Sequence, residues 1–220
     1  LPVDVPEFGF INVYGTDVTA SKANERLARE NERLLLNILP EPIAQRLRVG
    51  EPLIADRFDD VTLLFADIVE FTRLSSTMSA PELVSILNDI FSVFDELVDR
   101  YGLEKVKTIG DAYMVVGGMS VGSDDEHTAR VAALALDLAD AVGRIDAAAR
   151  VGIQFRIGMH RGPVVAGVIG TRKFIYDIWG DTVNLASRME SLGIPGQIQV
   201  THAVVERLGA AFRFESRGLI

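Results

Sequence analysis

With 220 residues, 48% hydrophobic and 24% charged, the chain has the profile of a globular protein holding one substantial α/β domain and an appendage. A formal charge of −9 and a pI near 4.9 exclude the basic stripe that a nucleic-acid surface needs. Cysteine is absent, which rules out disulfides and thiolate metal sites and fits a reducing, cytoplasmic setting, and no apolar run approaches the ~20 residues that span a bilayer.

Residues 8–14, Phe8-Gly9-Phe10-Ile11-Asn12-Val13-Tyr14, read as a short strand followed by a turn at Gly15-Thr16-Asp17. Residues 20–39 read as a helix that ends at Pro40 and Pro42. A 4-3-4-3-4 spacing along it picks out Ala20, Asn24, Leu27, Asn31, Leu34 and Ile38. Such a seam suits two parallel helices held in register by asparagine at a positions, or an amphipathic helix packed on its own domain. The chain opens on Leu1 rather than Met and stops at Ile220 in what reads as a strand, so we expect a piece of a longer protein.

The main domain is expected from Arg57 onward. A strand at 61–67 leads to Ser79-Ala80-Pro81-Glu82, a capping box that opens a long helix. Leu83, Leu87, Ile90, Phe91, Phe94, Leu97 and Val98 recur on one face of that helix, and Tyr101-Gly102 ends it. Strands at 103–109 and 112–117 follow, joined by a tight turn at Gly110-Asp111. Ser123 and Glu126 suggest a second capping box before a helix at 125–142. A strand at 153–160 is expected to turn at Gly162-Pro163 into another at 163–169. Beyond these lie a strand at 173–178, a helix at 181–192, a short strand and a terminal helix. The order βαββαβ predicts an α+β fold, a ferredoxin-like sandwich with an antiparallel sheet and two helices on one face.

Two aspartates stand where apolar strands run out. Asp67 closes Val61-Thr62-Leu63-Leu64-Phe65-Ala66, and Asp111 lies in the turn after Lys107-Thr108-Ile109-Gly110. A carboxylate at a buried strand end needs a cation or a helix to cap, and two on neighbouring strands can hold Mg²⁺ or Mn²⁺, ions that suit phosphates. A short helix beginning in Ile68-Val69-Glu70-Phe71-Thr72 would add free N–H groups to a phosphate platform. Lys107 and Asp177 each interrupt an otherwise apolar strand, as edge residues do or as groups that read a base. Asn184 and Arg188, four apart on a helix, share one face, which is either solvated or functional; Glu190 is one candidate partner for Arg188. The scattered His127, His160 and His202 lack ligand spacing, and Trp179 reads as core.

Three blocks together resemble the signatures of class III nucleotidyl cyclases. They are Phe65-Ala66-Asp67-Ile68-Val69-Glu70-Phe71-Thr72, Lys105-Val106-Lys107-Thr108-Ile109-Gly110-Asp111-Ala112-Tyr113-Met114, and Tyr176-Asp177-Ile178-Trp179-Gly180-Asp181-Thr182-Val183-Asn184-Leu185-Ala186-Ser187-Arg188-Met189. The likeness covers about residues 57–220. It implies that Asp67 and Asp111, with the Ile68 carbonyl, bind two divalent metal ions, with Phe71 and Thr72 beside the substrate. It further implies that Lys107 and Asp177 read the base, that Asn184 positions the ribose, and that Arg188 stabilises the transition state. Metal-binding and base-reading groups of one site come from different subunits in this family, so a chain carrying both sets is expected to form a homodimer with two equivalent sites. Residues 1–19 resemble the end of a PAS-like sensor domain, which makes 20–56 a transducer helix and linker and 57–220 the catalytic domain. A lysine that grips the triphosphate follows shortly after Glu215-Ser216-Arg217-Gly218-Leu219-Ile220 in the family, so this domain is expected to be C-terminally truncated.

Hydrogen bonding argues for the purine. A carboxylate acceptor beside an ammonium donor complements the N6 amino group and N1 of adenine, whereas guanine's O6 and N1–H would leave both unmatched. Guanylyl relatives usually carry Glu and Cys-like residues at these two positions. The expected substrate is therefore ATP and the product cyclic AMP, formed when the ribose 3′-hydroxyl attacks the α-phosphorus and pyrophosphate leaves in line. No side chain stands out as a general base. A guanylyl cyclase and a dimeric signalling module with a decayed site are the competing readings.

Overall fold

The chain divides into two units, residues 1–54 and 55–220. The structure, a computed structural model, describes residues 2–5, 10–13, 19–36, 38–119, 126–170 and 173–218. In the first unit, β1 (Pro2–Val5) pairs antiparallel with β2 (Phe10–Val13), the described part of the strand expected there. The turn expected at Gly15-Thr16-Asp17 lies outside the described residues. Next come α1 (Thr19–Leu36) and α2 (Glu41–Arg48). The two prolines that read as a helix stop also start α2, because Pro42 falls in its first turn, where a missing N–H costs no helical bond.

The second unit is built on β3 (Ala55–Ile68), which is followed by α3 (Phe71–Thr77) and α4 (Ala80–Arg100). The expected capping box opens α4: the Glu82 carboxylate accepts from the Ser79 N–H at 3.0 Å and from its hydroxyl at 2.6 Å. Strands β4 (Glu104–Ile109) and β5 (Ala112–Gly117) form a hairpin whose two-residue tip, Gly110-Asp111, has Gly110 at φ 64°, the sign such a tip demands. Then come α5 (His127–Val142), α6 (Asp146–Val151) and β6 (Phe155–Ile169). The capping box expected before α5 rests on Ser123, outside the described residues. The remainder is β7 (Ile175–Trp179), α7 (Asp181–Ser191), β8 (Ile198–Val200), α8 (His202–Leu208) and one 3₁₀ turn.

The strand order β4-β5-β3-β6-β7, with antiparallel neighbours throughout, contains the expected ferredoxin-like arrangement. Alternation along β3 explains its two faces. Leu64, Ala66 and Ile68 enter one core with Ile90 and Phe94 of α4 and Leu134 and Leu138 of α5. Leu63 and Phe65 enter a second core with Met114, Val164, Ile178 and Ala186 of α7. Helix α7 lies close on this second face because residue 158 is glycine: a Cβ there would stand 2.0 Å from the Glu190 nitrogen.

Three expectations are corrected. Gly162-Pro163 makes no turn, since β6 runs unbroken through it. The partner strand absorbs the proline with a bulge: Phe58 pairs with Val164 and Val61 with Gly162, so Asp59 and Asp60 together oppose Pro163, which has no N–H to offer. Trp179 is 38% exposed rather than core, because alternation along β7 turns Ile178 inward. Residues 213–218 form no strand, and the free edge of β6 is taken by β7 at one end and by β8 at the other.

Candidate active site

Asp67 sits one residue before the end of β3, on the α7 face of the sheet, and Asp111 sits in the adjoining hairpin tip. The structure brings the two carboxylates together. Burial, then a hydrogen bond and the charge of Asp67, push the Asp111 carboxyl up to about 7. Arg156, directly across from Asp67 on β6, reaches Asp67 Oδ2 at 3.3 Å and Glu190 Oε1 at 3.0 Å. Burial alone would lower the Arg156 pKa, but the Glu190 and Asp67 carboxylates outweigh it and hold the guanidinium above its ordinary value. Glu190 is shifted upward, chiefly by burial. Arg156 therefore bridges two carboxylates, Asp67 and Glu190, and Asp111 joins them only through Asp67. Glu190 pairs with Arg156 and not with Arg188, which corrects the partner suggested by sequence proximity.

Sequence reasoning missed Arg156 and the role of Glu190. The signal was present as an arginine between Phe155 and Ile157, but nothing local says which acids it faces. Among the described residues no cluster of three or more His, Cys, Asp or Glu forms a metal site by itself. The cradle is a pair, with the carbonyl of Ile68 adjacent in sequence.

Glu70 takes the left-handed conformation, φ 56° and ψ 32°, and turns the chain from β3 into α3. Its carbonyl accepts from the N–H groups of Arg73 and Leu74, so the amides of Phe71 and Thr72 are those a first helical turn leaves without an intrahelical partner. Phe71 is partly buried and packs against the helix-side core, and Thr72 is exposed.

Lys107 and Asp177 stand on opposite edge strands, 70 residues apart, and meet. Lys107 Nζ donates to Asp177 Oδ2 at 2.5 Å, while Asp177 Oδ1 accepts from the Ile178 N–H at 2.8 Å. Their side chains are 33% and 15% exposed, so donor and acceptor lie side by side in a half-covered position. The sheet curls to bring β4 and β7 into contact at its two ends. On α7, Thr182, Ala186 and Glu190 face inward, while Asn184 and Arg188 are exposed on a common side. Arg188 lies roughly 160° around the helix from Glu190 at 3.6 residues per turn. The structure does not bring Asn184 or Arg188 to this chain's own aspartate pair.

Residues 53–220 match the family of adenylate and guanylate cyclase catalytic domains. The chain belongs to that family. An adenylate cyclase of Mycobacterium tuberculosis is 48% identical over 191 residues, covering 86% of this chain and 43% of the relative. Retinal guanylyl cyclase 1 of Bos taurus is 42% identical over 195 residues, 86% of this chain and 18% of its own length. The chain thus spans less than half of either relative. The solved catalytic core of a rhodopsin-guanylyl cyclase with converted specificity, in complex with ATPαS, matches with a TM-score of 0.69 at 38% identity, covering 72% of this chain and 86% of that one. Relatives of both purine classes stand close, so the choice of base falls to the residues. No helix among the described residues is long and apolar enough to cross a membrane.

Proposed function

We propose that this chain is the catalytic part of an adenylate cyclase that converts ATP to 3′,5′-cyclic AMP and pyrophosphate at sites shared between two copies. The Lys107–Asp177 pair carries this reading. Its ammonium donor and carboxylate acceptor lie side by side, the complement of adenine's N1 and N6 amino group. For guanine the same pair would set an acid against O6 and an ammonium against N1–H, leaving buried polar atoms unmatched.

Asp67 and Asp111, with the Ile68 carbonyl, fit two divalent metal ions, Mg²⁺ or Mn²⁺. Two touching carboxylates, one lifted to about 7, have a deficit of positive charge that Arg156 only partly meets. Such ions, when bound, lower the pKa of the attacking 3′-hydroxyl and neutralise the leaving pyrophosphate. The first-turn amides at Phe71 and Thr72 would donate to a phosphate. Asn184 would orient the ribose, and Arg188 would hold the charge that grows on the α-phosphate. Because Arg188 points away from its own chain's cradle, it is available to a second copy. Leu27, on the heptad seam of α1, is 57% exposed, which favours pairing of that helix with its twin.

Two assays test the reading. With Mn²⁺, cyclic AMP should form from ATP at least roughly ten times faster than cyclic GMP from GTP, and the reverse preference would assign the chain to guanylate cyclases. Asp67→Ala and Arg188→Ala should each be inactive alone. Mixed, they should recover about a quarter of wild-type activity through hybrid dimers with one intact site. No recovery on mixing would place the whole site within one chain.

A further inference from the structure

The bulge at Pro163 divides the sheet into two halves that carry different parts of the proposed site. The inner half pairs Val61–Ile68 of β3 with Phe155–Gly162 of β6. Strand β5 attaches to it through Thr62–Ala66, and β4 attaches to β5, so Lys107 belongs to the inner half. The outer half pairs Ala55–Phe58 with Val164–Gly167. Strand β7 attaches only to Val165–Ile169, so Asp177 belongs to the outer half. The angle at the bulge therefore sets whether lysine and aspartate meet.

Two ties fix that angle. Arg161 of the inner half pairs with Asp60, one of the two bulged residues, at 2.5 Å. More tellingly, the Thr182 hydroxyl donates to the Pro163 carbonyl at 2.6 Å. Thr182 is 3% exposed, and a Cβ on Gly162 would stand 2.7 Å from its hydroxyl, so the contact has no slack. Thr182 is also in the first turn of α7, two residues before Asn184 and six before Arg188.

We propose that Thr182 is a positioning residue: its bond to the Pro163 carbonyl locks the bulge and α7 together, so that the base-reading pair and the ribose- and phosphate-facing helix keep one fixed relation. The inference rests on the nucleotide cyclase reading for the roles of Asp177, Asn184 and Arg188, but not on which purine is preferred. Thr182→Val removes the donor at nearly constant shape and leaves the Pro163 carbonyl without that partner, whereas Thr182→Ser keeps the donor.

The experiment compares kcat/KM for ATP and GTP in wild type, Thr182→Val and Thr182→Ser, as the complete chain with Mn²⁺, with activity expressed per folded protein. Thr182→Val should lose about tenfold to a hundredfold in kcat/KM for the preferred purine, and its ratio of the two purines should move toward one from whichever side wild type occupies. Thr182→Ser should restore the ratio. A valine variant of lowered Tm with an unchanged purine ratio would overturn the proposal and leave Thr182 a packing residue. A crystal structure of the valine variant supplies a readout that needs no turnover. Separation of Lys107 from Asp177 supports the lock, and a pair still at bonding distance with α7 unmoved overturns it. A wild-type preference for GTP would instead sink the adenine assignment while the ratio still reports on the lock.

Discussion

Asp67 and Asp111 come from adjoining strands and carry like charge, whereas Lys107 and Asp177 come from the two outer strands and carry opposite charge. The first pair is held close together, and burial, then the hydrogen bond and charge of Asp67, lift the Asp111 carboxyl to about 7. The second pair is satisfied before any nucleotide arrives. On the proposed reading, one end of the site gains from a cation, while the other exchanges an internal bond for two bonds to a base. Affinity is best placed at the first end and selectivity at the second, because a wrong base forfeits the internal bond without replacing it.

Breaking the acidic end should have the largest effect. Asp67→Ala is expected to lower cyclic nucleotide formation at least about a thousandfold with the fold intact by circular dichroism. A variant with most of its activity would show that the cradle is dispensable. At the other end, Lys107→Ala should reduce the ATP-over-GTP ratio of kcat/KM about a hundredfold. It should also lower stability by about 1–2 kcal/mol in urea, since Asp177 is left mostly covered without its cation.

Stability measured against pH sharpens the contrast further. Glu104, on the same strand as Lys107, is pushed up to about 6 by burial alone. Its folded pKa lies above its unfolded value, so the native state prefers the protonated acid. Stability from that preference is full below about pH 4.5 and is lost as pH rises through about 6. Glu104→Gln should therefore gain about 2 kcal/mol at pH 8 and nothing at pH 4, seen in urea midpoints. The same sign applies at the cradle, where solvent screens much of the repulsion. In metal-free buffer at pH 8, Asp111→Asn should raise stability by about 1 kcal/mol, and added Mg²⁺ should stabilise the wild type more than the variant. Destabilisation by Asp111→Asn without metal would mean that the carboxylate is already neutralised within the fold.

Much of this was legible in residues that act locally. The capping box at Ser79 and Glu82, the helical face of Ile90 and Phe94, the hairpin tip at Gly110-Asp111 and the strand end at Asp67 follow from short-range sterics and from periods of 2 and 3.6. The same local rules misread Gly162-Pro163, because a proline inside a strand needs a free edge or a bulge in the partner strand, and the bulged partner lies about 100 residues earlier. They also left Arg156 without a partner and offered Glu190 as one partner for its helical neighbour Arg188.

Sequence alone determined which charged groups stand at strand ends and on one helix side, because alternation and turn chemistry are written in adjacent residues. Only the tertiary structure decided which of them meet. Arg156 finds Asp67 and Glu190 because β6 pairs beside β3 under α7, and Lys107 finds Asp177 because the two edge strands, β4 and β7, come into contact. Such contacts depend on register and strand curvature summed over many residues, quantities that no short stretch of sequence carries.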